Sequence, residues 1–194
     1  MKQNTSIKNS AYAFLVGSAI FFGACNNSNR TESDPKELAE ESNEAKFNTR
    51  ESEKNASFVV DAVASNNAEV SLAQLAQQRS TNQQVKQLAQ KLETEHAAMA
   101  QSLRTIADNN AISVPDGLAD DARKDYNDMN EKKVEDFDKA WLKEMKDKHE
   151  KTIRKYTDAL DSVTDPSIRQ WIEEALPKVR MHLDEVTKLH DSLK

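Results

Sequence analysis

Three of the four histidines in this chain, His96, His149 and His182, fall on the apolar stripes of three different helical segments. Each stripe is phased by its neighbours rather than by the histidine. Val85, Leu88, Leu92, Met99, Leu103 and Ile106 flank His96; Leu142, Met145, Ile153, Tyr156 and Leu160 flank His149; Ile168, Ile172, Ala175, Val179, Val186, Leu189 and Leu193 flank His182. His190 lies off its stripe. Inward imidazoles from three helices are the donor type that zinc, copper and iron share. On the preceding helix, the polar residue nearest the same level is Glu69, twelve residues before Thr81, and its carboxylate would complete the set and offset part of the charge. Glu69, His96, His149 and His182 are therefore the candidate ligands for one divalent transition metal. The competing reading makes each histidine a core residue hydrogen-bonded to a neighbour such as Glu69 or a tyrosine, and both readings stand at this point.

Ligands must share a layer as well as a face. His96 lies about fifteen residues into its helix and His149 about fourteen, so a connection that makes those helices parallel puts them level at ~1.5 Å per residue. His182 comes out about four residues deeper, or ~6 Å, which a kink at Pro177 and side-chain reach would partly absorb. A di-iron carboxylate site does not fit. That chemistry takes Glu-x-x-His from two helices, whereas Lys146 stands three before His149 and Val179 three before His182. No catalytic residue is singled out, because the chain has one cysteine, no glycine-rich phosphate loop and no recognisable nucleophile constellation.

The elements that must position these residues are helices. Three glycines and four prolines in 194 residues supply too little turn chemistry for a many-stranded sheet. The first helix is expected from Asn55 to Gln78, and the second follows a tight turn, opened by Thr81 with Gln84 as a capping box. A polar stretch with Pro115 and Gly117 leads to a weakly amphipathic segment from Leu118 to Asn130. The third helix is expected from Glu135 to Ser162, and the fourth is opened by Asp165 and Pro166. The pattern specifies an all-α, ferritin-like four-helix bundle with one long crossover that contains a short extra helix. Leu92 and Leu142 should point inward and Lys148 outward.

The N-terminus reads as an address. Lys2 and Lys8 precede an apolar run from Ala11 to Phe22, and Gly23 and Ala24 precede Cys25. Phe22-Gly23-Ala24-Cys25 resembles the bacterial lipobox, so residues 1–24 are expected to be a lipoprotein signal peptide and Cys25 the lipidated residue. Residues 25–54, dominated by Asn, Ser, Glu and Lys, are expected to form a flexible polar tether, and residues 55–194 the bundle. The expected location is the cell envelope, lipid-anchored, with Asn26 favouring the outer membrane, facing the periplasm or the cell surface. The membrane is then one partner. A net charge of -6 argues against nucleic acid, which needs a concentrated basic surface. The domain is expected to be a monomer or weak oligomer; no protein partner can be named.

From about Asn55 to Leu193 the chain resembles the bacterial domain-of-unknown-function family 4142, ferritin-like helical domains often labelled outer-membrane proteins. The segments that carry the resemblance are AEVSLAQLAQQRS around Glu69, VKQLAQKLETEH ending at His96, FDKAWLKEMKDKHEKT containing His149, and LPKVRMHL containing Pro177 and His182. Where the family usually has Asp-His, this chain has Glu95-His96, and Trp141 stands where tyrosine is common. The resemblance implies the fold and the location and brings no activity with it. Two functions remain open: a metal-binding or metal-buffering envelope protein, and a non-catalytic structural or stress-related lipoprotein acting through its charged outer faces.

Overall fold

A computed structural model describes residues 33–193. Cys25 and the leader lie outside the described residues. Six helices follow one another: α1 Pro35–Glu44, α2 Arg50–Arg79, α3 Gln83–Asn109, α4 Asp120–Asn130, α5 Val134–Ala159 and α6 Pro166–Ser192. Among the described residues the regular structure is all helical, and no helix is long and apolar enough to cross a membrane.

The helix starts follow from local chemistry. Asp165 caps α6 by accepting from the amides of Ser167 and Ile168, with Pro166 pre-set for the first turn. Thr49 and Ser52 form a reciprocal capping box that starts α2 at Arg50, five residues before the expected Asn55. The cap of α3 is Asn82, which accepts from the Gln84 amide, rather than Thr81. Helix α6 runs without interruption through Pro177.

The expected tether is helical from Pro35 onward. Helix α1 buries Ala39 and Asn43, and the Asn43 amide exchanges hydrogen bonds with Ser113, donating to its carbonyl at 2.8 Å and accepting from its N–H at 2.7 Å. Lys36 pairs with Asp61 of α2 at 2.7 Å. Composition could not reveal this docking, because it depends on polar pairing rather than on an apolar stripe.

Four long helices make the bundle, with α4 in the crossover as the pattern specified. Its direction is read from the core. One apolar cluster joins Val59 and Val63 near the start of α2, Leu103 and Ala107 near the end of α3, Tyr156 and Ala159 near the end of α5, and Ile168 and Ile172 near the start of α6. A second joins Leu72 and Leu75, Val85 and Leu88, Phe137 and Trp141, and Val186 from the opposite ends. Helices α3 and α5 are therefore parallel, and each is antiparallel to its hairpin partner. Between the two clusters lies a buried polar layer: Asn66 and Glu69 of α2, His96 of α3, His149 and Thr152 of α5, and His182 of α6.

Lys148 is not the free outward residue that its place in the stripe suggested. It pairs with Asp125 of α4 at 2.7 Å and with Glu144 at 3.3 Å, and so ties the crossover helix to α5. Leu92 and Leu142 are fully buried in the second cluster. Chemical denaturation should show Leu92→Ala or Leu142→Ala costing about 2 to 5 kcal/mol, as core truncations do. Lys143→Ala, on the solvent face, should cost less than about 0.5 kcal/mol. Equal costs at the two kinds of position would show that the helix phases are misassigned.

Candidate metal centre

Each of the four bundle helices delivers one candidate ligand to the polar layer. Glu69, His96, His149 and His182 are each at most 1% exposed, which seals them from bulk water. The three imidazoles meet with ring centroids 5.0 to 5.5 Å apart, and one ligand nitrogen from each lies within 4.8 Å of the others. The depth mismatch expected for His182 is absorbed without a break in α6, because a side chain can reach back along its helix by about a turn.

The outer hydrogen bonds fix which nitrogen of each ring carries its proton. His149 Nδ1 lies 2.7 Å from the Met145 carbonyl, which can only accept, so the proton sits on Nδ1 and the lone pair on Nε2. The Asn66 amide donates through Nδ2 to the Ala62 carbonyl at 2.7 Å, which turns its Oδ1 toward His96 Nδ1 at 2.9 Å. His96 must then donate from Nδ1 and keep the lone pair on Nε2. His182 donates from Nε2 to the Glu95 carboxylate at 2.7 Å, and its Nδ1 is buried without a hydrogen-bond partner.

The inward nitrogens of the three rings are consequently all acceptors. His96 Nε2 and His149 Nε2 face each other at 3.4 Å, and Glu69, which accepts from the Thr152 hydroxyl, has its other oxygen Oε2 buried without a hydrogen bond, 3.1 Å from His96 Nε2 and 3.4 Å from His149 Nδ1. Such a group of lone pairs could hold a cation. The imidazole spacing is compatible with a metal, since two nitrogens bound at ~2.0 to 2.1 Å in a tetrahedral site stand about 3.4 Å apart.

Electrostatics follow from burial. Desolvation holds His96 well below the usual histidine range, and nearby His149 and His182 push it further the same way. His182 is lowered by burial against the opposing pull of Glu95. The Glu69 carboxyl is raised by burial, although His149, Lys148 and the Thr152 hydroxyl all favour its charged form. Neutral imidazoles are the form that ligates, so the layer keeps two of its histidines ready to bind at acidities where free imidazole is protonated.

The three histidines are thus brought together as one group, and Glu69 lies beside it, its Oε2 3.1 Å from His96 Nε2 and 3.4 Å from His149 Nδ1. Sequence reasoning passed over Asn66 and Thr152, and named Glu95 only as the residue before His96, not as a partner of His182. Asn66 carried a signal, being a poor helix former on the inward stripe four residues after Ala62. His190 stays outside the layer, half-buried beside Asp191 at 3.6 Å.

The signs of these shifts define a pH dependence for the metal-free protein. A histidine with a lowered folded value contributes stability that is complete above the unfolded value near 6.5 and lost as pH falls below it. Glu69 has the opposite sign, and its charge costs stability as pH rises past the ordinary carboxylate range. Thermal melts without metal should show the midpoint dropping as pH is lowered from about 6.5 toward 5, with Glu69→Gln more stable than wild type at neutral pH. A midpoint that does not move over that interval would mean that the histidines are not held neutral by burial.

Comparison with solved structures finds a similar fold in a crystal structure of a DUF305 fragment from Deinococcus radiodurans, with a TM-score of 0.64 and 14% identity over 72% of this chain and 96% of that one. At that identity the likeness shows the fold alone. Comparison with curated proteins finds no match. The family model described as "Domain of unknown function (DUF4142)" matches residues 40–189, taking in the second half of α1, all of α2 through α5, α6 as far as Leu189 and the whole of the polar layer, and the chain belongs to that family.

Proposed function

We propose that this domain binds one divalent transition-metal ion, zinc, copper or iron, through His96 Nε2, His149 Nε2, His182 Nδ1 and Glu69. The observation that carries the reading is the gathering of three imidazole nitrogens within 4.8 Å of one another, with the outer hydrogen bonds turning lone pairs inward. A proton on Glu69 would satisfy His96 Nε2 across the 3.1 Å gap but would leave His149 Nε2 without a donor and His182 Nδ1 unpartnered. Leaving each buried acceptor unpaired costs about 1 to 3 kcal/mol, and protonating a buried imidazole instead costs desolvation. A metal ion satisfies all four at once. With Glu69 ionised and three neutral imidazoles, a divalent ion leaves a single positive charge, which Glu95 on the far side of His182 offsets. The outer partners Asn66, the Met145 carbonyl and Glu95 are the kind of second layer that orients metal-bound imidazoles and raises their basicity. The reading is one of binding or buffering.

Metal analysis of the purified protein should return about one equivalent of a divalent transition metal per chain, as expected for one closed ligand set. Metal at about a hundred times its dissociation constant should add about 2.7 kcal/mol of stability, or roughly 5 to 10 °C in Tm. His149→Ala should abolish that gain, and binding should weaken as protons compete for the ring nitrogens, at a lower pH than for exposed imidazoles because His96 and His182 are held below the usual range. Under the alternative, in which the histidines only hydrogen-bond within the core, metal shifts nothing and His149→Ala destabilises the metal-free protein.

The same reading places the domain in the cell envelope, anchored in the outer membrane through lipid on Cys25. The apolar run before Cys25, the small residues at Gly23 and Ala24 and the absence of any other cysteine support it. Cys25→Ser should release the protein from membranes while leaving its helical circular dichroism unchanged. A serine variant that still sediments with membranes after a carbonate wash would overturn the anchor.

A further inference from the structure

A sealed site needs a way in. With every candidate ligand at most 1% exposed, a hydrated ion cannot reach the layer without displacing something. Four residues hydrogen-bond to the ligands from outside: Asn66, Met145, Thr152 and Glu95. The first three are buried, whereas the Glu95 side chain is 31% exposed. Glu95 also lines a groove of about 480 Å³ between α3 and α6, together with Met99, Trp171, Glu174, Lys178 and Met181. It therefore touches water on one side and His182 on the other, and the far nitrogen of that ring is the buried, unpartnered Nδ1.

The opposite face offers less. Hollows between α2 and α5 meet the layer only at Thr152, a neutral hydroxyl that donates to Glu69. Their shared wall is closed by Asp61, which bridges Lys36 at 2.7 Å and Lys155 at 3.1 Å. A cation approaching there would meet Glu53, Asp61 and Asp158 beside Lys54 and Lys155 in one hollow, and four lysines against three carboxylates in the other, and neither set of charges reaches the layer, which it meets only through a neutral hydroxyl. On the α3–α6 side it would meet Glu174 and Glu95 against one lysine, and Glu95 itself touches a candidate ligand, beside the exposed and flexible Met181.

We propose that metal is loaded through the α3–α6 groove, with Glu95 as the capture carboxylate that receives the ion from water and passes it inward at His182. This rests on the metal-binding reading. In the loading step the Glu95–His182 hydrogen bond opens, the ion exchanges hydration water for the Glu95 oxygen, and it then moves to the inner nitrogens. Once the ion has passed, Glu95 again accepts from His182 Nε2 and holds Nδ1 toward the metal. Glu95 thus governs the rate of loading more than the final affinity.

Stopped-flow mixing of the full-length chain with Co²⁺, followed by its visible absorption, separates rate from stoichiometry. Glu95→Gln keeps an acceptor for His182 but removes the charge, and is expected to slow loading about tenfold or more, as loss of electrostatic steering does, while the final spectrum and metal content match wild type. Asp158→Asn, which removes a carboxylate from the opposite face without touching the layer, should load at the wild-type rate. Glu95→Gln loading as fast as wild type, failing to reach the wild-type metal content, or being matched in slowness by Asp158→Asn would each overturn the route. No Co²⁺ uptake by the wild-type chain would overturn both the route and the binding reading, whereas wild-type uptake with unaltered variant rates removes the route alone.

Discussion

Three imidazole nitrogens that can only accept are turned toward one another inside a buried layer. This constraint organises the molecule. The layer is sandwiched between two apolar clusters and each ring is at most 1% exposed, so bulk water does not reach them. Nor can they be relieved by tautomer exchange, because the Met145 carbonyl, the Asn66 amide and Glu95 each claim the outer proton of a ring. The outer hydrogen bonds that rigidify the histidines are the same ones that leave their inner nitrogens unsatisfied.

An all-apolar layer would be the more stable choice for a bundle of this size, since buried polar networks seldom return what their desolvation costs. The rest of the fold bears that cost. Trp141 donates to the Leu72 carbonyl at 2.9 Å and Trp171 to the Ser102 hydroxyl at 2.7 Å, so the large aromatic residues on either side bury their area without leaving orphan donors of their own. The edge-to-face group of Phe58, Tyr156 and Trp171 packs against the first cluster, and the Asn66 amide lies 3.5 Å from the Tyr156 hydroxyl, joining that aromatic end to the layer. Burial and the proximity of Glu69 keep the Tyr156 phenol firmly protonated.

The bundle and its inward residues were legible in the sequence because apolar periodicity over 26 to 30 residues leaves little freedom of phase. Glu69 was found by level as well as by face, which needed only the turn at Arg79 and Ser80 as a reference. What escaped was set by pairings that have no period. Asn43 docks α1 through hydrogen bonds to Ser113, seventy residues away, and Lys148 is drawn under α4 by Asp125. Glu95 projects beside the stripe rather than along it, so its partnership with His182 depends on how α3 meets α6.

The crossover through α4 has a further consequence. Helices α2 and α3 form one hairpin and α5 and α6 the other, so Glu69 and His96 belong to the first and His149 and His182 to the second. Each hairpin holds two of the four donors, too few to enclose an ion. On the proposed metal-binding reading, chelation is therefore available only to the finished topology, and an ion would act as a clasp between the two hairpins. A partly folded chain, with one hairpin's pair alone, would lack the full ligand set and so would not be trapped by metal in the wrong arrangement.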